Sequence, residues 1–320
     1  MDALEEIYIQ KWQKAIDINN YGLYRGKMGM CLIFYLKSSN SGQEVYAQRA
    51  KDLLNEIVDN IIKVDNYNFS DGLLGIGWGI EWLAQNEFIE LNTDEFLEDL
   101  DDEVYRLIMY SKAETIDLDS GTLGRILYLY KRLVSHNPNG NFHKTICNKE
   151  VLVLLIDELY ERLLAEENSL LNLCFSTYKS EDIKSLSHAL VVLCKLEPLR
   201  FNYVLVNEMI RKIIIKVESL FSDLHPPNSL GDLVLLLHSV REAGIKLGCI
   251  YWVRFAEGKY RHLIKGKIDL DKLDEKDIFI LGQFNSSLVS SFKSEESIFN
   301  YLLSLNKKTS KSWAEAWLLV

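Results

Sequence analysis

The stretch Asp71-Gly-Leu-Leu-Gly-Ile-Gly-Trp-Gly-Ile-Glu-Trp-Leu83 decides how this chain is read. It carries glycines at 72, 75, 77 and 79 inside a segment whose other residues favour an apolar helix. Each glycine in a helix interior costs about 0.5–1 kcal/mol relative to alanine. A chain that accepts this four times in eight residues needs backbone close to something. Sliding the motif along the sequence shows that the arrangement recurs. Gly26-Lys-Met-Gly29 precedes MCLIFYL, and Gly121-Thr-Leu-Gly124 precedes RILYLYKRL, at offsets of 46 and 49 residues from the neighbouring copy. Weaker copies follow at Ser185-Leu-Ser-His188 before ALVVLCKL, at Asn228-Ser-Leu-Gly231 before DLVLLLHSV, and around Gly282. The terminal SWAEAWLLV reads as a truncated seventh.

Between the copies lie charged, amphipathic segments, roughly 92–112, 147–166, 202–221, 248–265 and 293–305, with one more over 2–18. In EVYAQRAKDLLNEIVDNIIK, the residues Leu53, Leu54, Ile57, Val58, Ile61 and Ile62 fall on one helical stripe. Strand alternation is missing, and Asn139-Gly140 joins two helical segments rather than two strands. The chain thus alternates apolar, glycine-started helices with amphipathic ones, and a repeat of this kind buries its apolar members against each other. The expectation is an all-α fold in one domain over 1–320. It is an α/α toroid with about seven inner and seven outer helices in two concentric rings. The glycines do not follow a strand, so they are not a dinucleotide fingerprint.

Composition narrows the function. A net charge of −10 disfavours nucleic acid and anionic membrane as partners, although a local basic groove stays open. No apolar run reaches the length of about 20 residues that spans a bilayer. The N-terminal MDALEEIYIQKWQ lacks the basic start and apolar core of a secretory signal. Five scattered cysteines without a CxxC read as reduced thiols of a cytoplasmic protein.

The block GLLGIGWGIEWL (72–83) resembles the repeat of the lanthionine synthetase C-like family, with looser matches in YGLYRGKMGM (21–30) and DSGTLGRILYL (119–129). The resemblance implies an α/α toroid and a peptide substrate. In the family's cyclases it implies a zinc ion held by a cysteine of a Trp-Cys-x-Gly block and by a Cys-His-Gly in the next repeat. The zinc makes a thiolate of a peptide cysteine, which adds to a dehydroamino acid. Here the fifth repeat reads His225-Pro226-Pro227-Asn228-Ser229-Leu230-Gly231, which puts Pro226 at the first cysteine position. The sixth, Ile278-Phe279-Ile280-Leu281-Gly282, has neither Cys nor His, and no Cys-His pair occurs in the chain. No zinc ligand carries over, and no metal or other cofactor is expected.

Other residues could form a site. Polar groups at the inner-helix starts should gather at one mouth, among them Arg25, Asp71, Asp119, His188 and His225. Asp71 and Ser120 directly precede Gly72 and Gly121, where a side-chain oxygen can cap the helix or meet a ligand. Asp71, Asp119 and His188 are candidates for acid–base chemistry. Arg25, Trp78, Glu81 and His225 are candidates for ligand contact. Glu81 lies inside an apolar helix, and a buried carboxylate needs a partner or an opening to the cavity. The leading expectation is an accessory protein, not a catalyst, that binds a peptide or partner protein at the cavity mouth in modified-peptide biosynthesis. One alternative is a metal-free enzyme acting on a peptide or carbohydrate. The other is a zinc-dependent cyclase with a rearranged site, for which His188, His225 and Cys174 are conceivable ligands.

Overall fold

A computed structural model describes residues 19–24, 26–137, 140, 142–165, 169–173, 178–221 and 230–265, together with Gln13. Among them there are helices and no strands. The segments expected over 2–18, around Gly282, over 293–305 and at the C-terminus lie outside the described residues. The chain gathers into two compact units, Met1–Leu152 and Val153–Val320.

The first unit holds α1 (Lys27–Ser41), α2 (Glu44–Asn60), α3 (Leu73–Gln85), the single turn α4 (Thr93–Phe96), α5 (Glu98–Tyr110), α6 (Thr122–Val134) and the start of α7 (Phe142–Tyr160). In it the two helix types separate by burial. In α3, residues Leu74 to Gly77 and Gly79 to Glu81 are all buried, and in α6 every residue from Thr122 to Leu129 is buried. By contrast α2 buries only Tyr46, Ala50, Leu53 and Ile57, a single stripe at helical spacing. The glycine-started helices are neighbours: α1 packs on α3 and α3 on α6, while α2 lies against α1. The second unit repeats the plan. Its α8 (Ser180–Leu196) packs on α9 (Tyr203–Leu220) and on α10 (Leu230–Lys246), and α10 packs on α11 (Ile250–Lys265).

Three details differ from the sequence reading. The α2 stripe does not extend to Ile62, which is 95% exposed, because the helix stops at Asn60 and a 3-10 turn over Ile61–Lys63 turns the side chain outward. The amphipathic segment expected from 147 begins at Phe142. The fourth inner helix starts at Ser180, two turns before His188, where the Asp182 carboxylate accepts from the Lys179 backbone N–H at 2.7 Å. His188 is therefore a mid-helix residue and does not stand at a helix start.

The four glycines of the opening stretch serve two purposes, and both concern space. The helix-capping glycines 26, 72 and 121 have φ of −109°, −114° and −92°, which any residue adopts. What a side chain could not do is fit. A methyl group on Gly29, Gly75 or Gly124 would collide with the carbonyl oxygen of Leu23, Phe69 or Leu118. In each case that carbonyl lies six residues upstream, so the loop before each of these three helices folds back over the helix's first turn. Gly77 and Gly79 admit neighbouring helices instead. A methyl on Gly77 would come within 2.8 Å of the Tyr128 ring of α6, and one on Gly79 within 2.6 Å of Met28 of α1.

Gly75→Ala should therefore destabilise the protein by about 2–4 kcal/mol, because backbone would have to move. Gly258→Ala, at an exposed helical position of α11 with nothing near the new methyl, should stabilise it by about 0.5–1 kcal/mol. Denaturant unfolding of both variants checks the contrast; equal effects would contradict the close-approach account.

Candidate functional site

The folded-back loops build a rim at the N-terminal ends of α1, α3 and α6. The first N–H of each helix donates to a carbonyl seven residues upstream: Lys27 to Asn20 at 2.9 Å, Leu73 to Asn66 at 3.0 Å, Thr122 to Thr115 at 3.1 Å. Loop backbone thus does the work of a cap, and no side chain caps these three helices. This corrects the capping role open to Asp71 and Ser120. The Asp71 carboxylate accepts from Asn68 Nδ2 at 3.0 Å and from Ser70 Oγ at 3.2 Å. The Ser120 backbone N–H donates to Asp117 Oδ1 at 2.8 Å.

The three loops are also bonded to one another. Tyr24 N–H donates to the Ser70 carbonyl at 2.6 Å, and the N–H groups of Phe69 and Ser70 both donate to the Asp119 carbonyl, at 2.8 and 3.1 Å. Two sequence candidates, Asp71 and Asp119, are brought into one rim by these bonds. Asp71 is exposed and Asp119 half-buried. Beneath them Tyr24 is buried, and its phenol is held well above its ordinary pKa by that burial and then by the charges of Asp119 and Asp117. Tyr24 meets Phe69 edge-on at 6.4 Å, and Phe69 meets the half-buried Trp78 at 6.0 Å. Of these rings Tyr24 and Phe69 are buried and Trp78 is half-buried. Arg25 lies outside the described residues.

Glu81 has the partner its burial demands. It is 0% exposed, and its Oε2 accepts from Arg132 Nη1 of α6 while Oε1 accepts from Gln85 at 3.0 Å. Arg132 also holds Asp101 of α5, with Nη2 to Oδ2 at 2.7 Å and Nε to Oδ1 at 3.1 Å, and Asp94 of α4 at 3.1 Å. Tyr128 donates to Asp101 Oδ1 at 2.7 Å. Burial works against the guanidinium's charge, but the bond and charge of Asp101, with Tyr128 and Glu81, outweigh it and raise its pKa. One buried cation so joins α3, α4, α5 and α6. Removing it would strand carboxylates in the core, a loss of about 3–5 kcal/mol for a broken buried pair. Sequence reasoning singled out Glu81 and missed Arg132; the available signal was weak, since Arg132 is one of three basic residues, with Arg125 and Lys131, in the run RILYLYKRL.

In the second unit His188 of α8 and His238 of α10 are both buried. Burial lowers the His238 pKa from 6.5 to about 4, with Glu242 raising it and Arg241 lowering it in smaller measure. Where α8 and α10 begin, Asp232 accepts from Ser180 Oγ at 2.5 Å and faces Lys184 at 3.9 Å. His225 and Cys174 lie outside the described residues, as do 222–229 and 266–320, where the family's zinc motifs would fall.

The described donors do not fit a thiolate-bound zinc ion. Cys31 donates its thiol to the Ala50 carbonyl at 3.3 Å, and burial raises its pKa. Burial likewise pushes Cys194 up to about 12. Cys249 sits in the turn between α10 and α11, at the C-terminal end of α10. Among the described residues no three of His, Cys, Asp and Glu are grouped as a metal site. None of the described helices is long and apolar enough to cross a membrane.

Residues 2–180, more than half of the chain, match the family described as lanthionine synthetase C-like protein. Among solved structures, one titled nisin cyclase matches 99% of this chain and 96% of its own length, with a TM-score of 0.62 and 14% sequence identity. That likeness establishes the fold, an all-α toroid. No curated protein matches the chain in sequence.

The buried imidazole of His238 gives a pH dependence with a definite sign. As pH falls from 6.5 toward about 4, the unfolded chain binds a proton at this residue and the folded chain does not. Stability from this group is therefore lost across that window, at up to about 1.4 kcal/mol per pH unit. His238→Gln should make the fall in unfolding free energy shallower over the same range. Parallel slopes for the two proteins would contradict the buried neutral state.

Proposed function

The chain belongs to the lanthionine synthetase C-like family, and we propose that within it this protein serves modified-peptide biosynthesis by binding a peptide or partner protein, without zinc-dependent cyclase chemistry. One observation carries the second half of this reading. The cyclase pattern draws two cysteines from the late repeats, and residues 222–320 contain one, Cys249. That cysteine stands at the C-terminal end of its inner helix, where the chain turns into α11. The family pattern uses helix-start positions instead. A thiolate poorly formed at neutral pH needs a positive neighbour, and the buried thiols Cys31 and Cys194 are shifted the opposite way.

The binding half rests on the rim. It presents Asp71 to solvent, with Asp119 in the adjoining loop and the half-buried Trp78 against Phe69 of the same loop, on backbone fixed by the loop-to-loop bonds. Carboxylates suit the ammonium and guanidinium groups of a peptide, and a rigid rim lowers the ordering cost of binding. Peptide captured there would need no reacting group from the protein.

A second reading draws on the same geometry. Because the rim brings Asp71 and Asp119 together, a metal-free acid–base enzyme stays in contention, with His188 as a further candidate. The two readings separate by substitution. Asp71→Asn combined with Asp119→Asn should weaken capture of peptides from native lysate by the full chain about tenfold, with no turnover to lose. If the wild-type chain converts a captured peptide and the double variant binds it unchanged but does not convert it, the enzyme reading replaces the binding one.

A further inference from the structure

Beneath the rim one polar atom is left over. The Tyr24 hydroxyl is shut off from solvent and has no hydrogen-bond partner among the described residues. A buried hydroxyl without a partner costs free energy, and native proteins keep few of them. Packing does not account for it. The Tyr24 ring meets Phe69 edge-on, and phenylalanine would keep that contact without the stranded oxygen.

The surroundings of Tyr24 show what the hydroxyl faces. Its backbone N–H is bonded to the loop before α3 at Ser70. Its ring lies against Phe69, whose Cβ leaves no room for a side chain at Gly124 of α6. The phenol thus crosses from the loop before α1 toward the loop before α6, and it comes close enough to the carboxylates of Asp119 and Asp117 to feel both charges. Asp117 is anchored within its own loop. Its Oδ1 accepts from the N–H groups of Ser120 and Gly121 at 2.8 and 3.3 Å, and its Oδ2 accepts from Thr115 Oγ1 at 2.6 Å. These donors are all neutral, so they hold the carboxylate in place without cancelling its charge. Over residues 20–26, 64–72 and 112–121, five acids stand against two bases, Arg25 and Lys112. The next base along, Lys27, is paired with Glu56 of α2.

We infer that this place takes the primary ammonium group of a peptide, a lysine side chain or an N-terminus, whose N–H groups donate to the Tyr24 oxygen and to the Asp119 and Asp117 carboxylates. The inference rests on the binding reading given above and narrows it to peptides that present an amine. The phenol keeps its proton, because burial and then the two carboxylates hold its pKa well above the ordinary value. A neutral hydroxyl offers lone pairs to an N–H. An ammonium is a compact charge with three donors, so it can meet a hydroxyl and carboxylates at once, whereas a guanidinium is broad and planar. A metal ion fits less well, because no three of His, Cys, Asp and Glu are grouped among the described residues. The amine enters from the carboxylate side, where Asp117 and Asp119 are half-buried, and displaces the edge of the rim that closes over Tyr24.

The test is capture of short random-sequence peptides by the immobilised full chain, read by mass spectrometry. The pool is used as synthesised, with its amines acetylated, and with its amines converted to guanidines. The untreated pool should be retained about tenfold better than either treated pool. Tyr24→Phe should lower that preference about tenfold, and should unfold thermally no lower than the wild type, because it removes a stranded oxygen and no charge. General attraction of cations to an acidic chain would survive this substitution, so the loss identifies the hydroxyl. If the wild-type chain retains all three pools alike, the binding reading stands and this inference is overturned; if it retains none, both fall. Retention of the guanidine pool equal to the untreated one, or an unchanged preference in Tyr24→Phe, would overturn the inference. So would a lower melting temperature for that variant, since the hydroxyl would then have a structural partner such as a buried water.

Discussion

The close approach of loop carbonyls to glycine Cα atoms organises what is seen of the first unit. In α1, α3 and α6 the carbonyl six residues before the second glycine sits where a side chain would begin. With that contact made, the carbonyl seven residues before the helix satisfies its first N–H. The orphan donors of a helix start are normally a problem for side-chain caps. Here backbone solves it, and the Asp71 carboxylate bonds within its own loop instead of capping the helix. The carboxylates of Asp71 and Asp119 hold their places because the loops under them are bonded to the helices and to each other.

Behind the rim, the inner helices are locked by a different interaction. Arg132 gathers Glu81, Asp94 and Asp101 from three other elements, and Tyr128 completes the arrangement. A buried ion pair is weak grounds for net stability, since desolvation offsets much of the attraction. It does specify geometry: an apolar contact between α3 and α6 would tolerate sliding, while a guanidinium fork bonded on several sides does not. The glycines let these helices come close, and the arginine fixes the register at which they meet.

The architecture was legible in the sequence because spacing carried it. Glycine pairs at near-constant offsets before apolar runs marked α1, α3 and α6, and the amphipathic runs between them marked the outer helices. What escaped was anything set by contacts far apart in sequence. Glu81 visibly needed a partner, but Arg132 lies 51 residues away with no periodic relation to it. The start of α8 was misplaced because its repeat lacks glycine, and local bonding between Asp182 and Lys179 set the boundary instead. Asp71 and Ser120 looked like caps by position, and lost that role to loop backbone that no local pattern announces. Of the site candidates, Asp71, Asp119 and Trp78 fall in or beside the rim, Glu81 lies in the core and His188 in mid-helix, while Arg25 and His225 fall outside the described residues.

The account's central claim is that a lanthionine synthetase C-like fold is here put to binding without the family's zinc chemistry. Metal content per chain tests it most directly, measured on full-length protein purified without chelators or metal-affinity steps. The account predicts zinc far below one equivalent, and no gain in thermal stability on adding zinc, since a site that binds the folded state would stabilise it. Close to one tightly held zinc per chain would contradict it. The ligands would then have to be found among residues such as His188, His225 and a cysteine, and thiol addition would return as the chemistry of this protein.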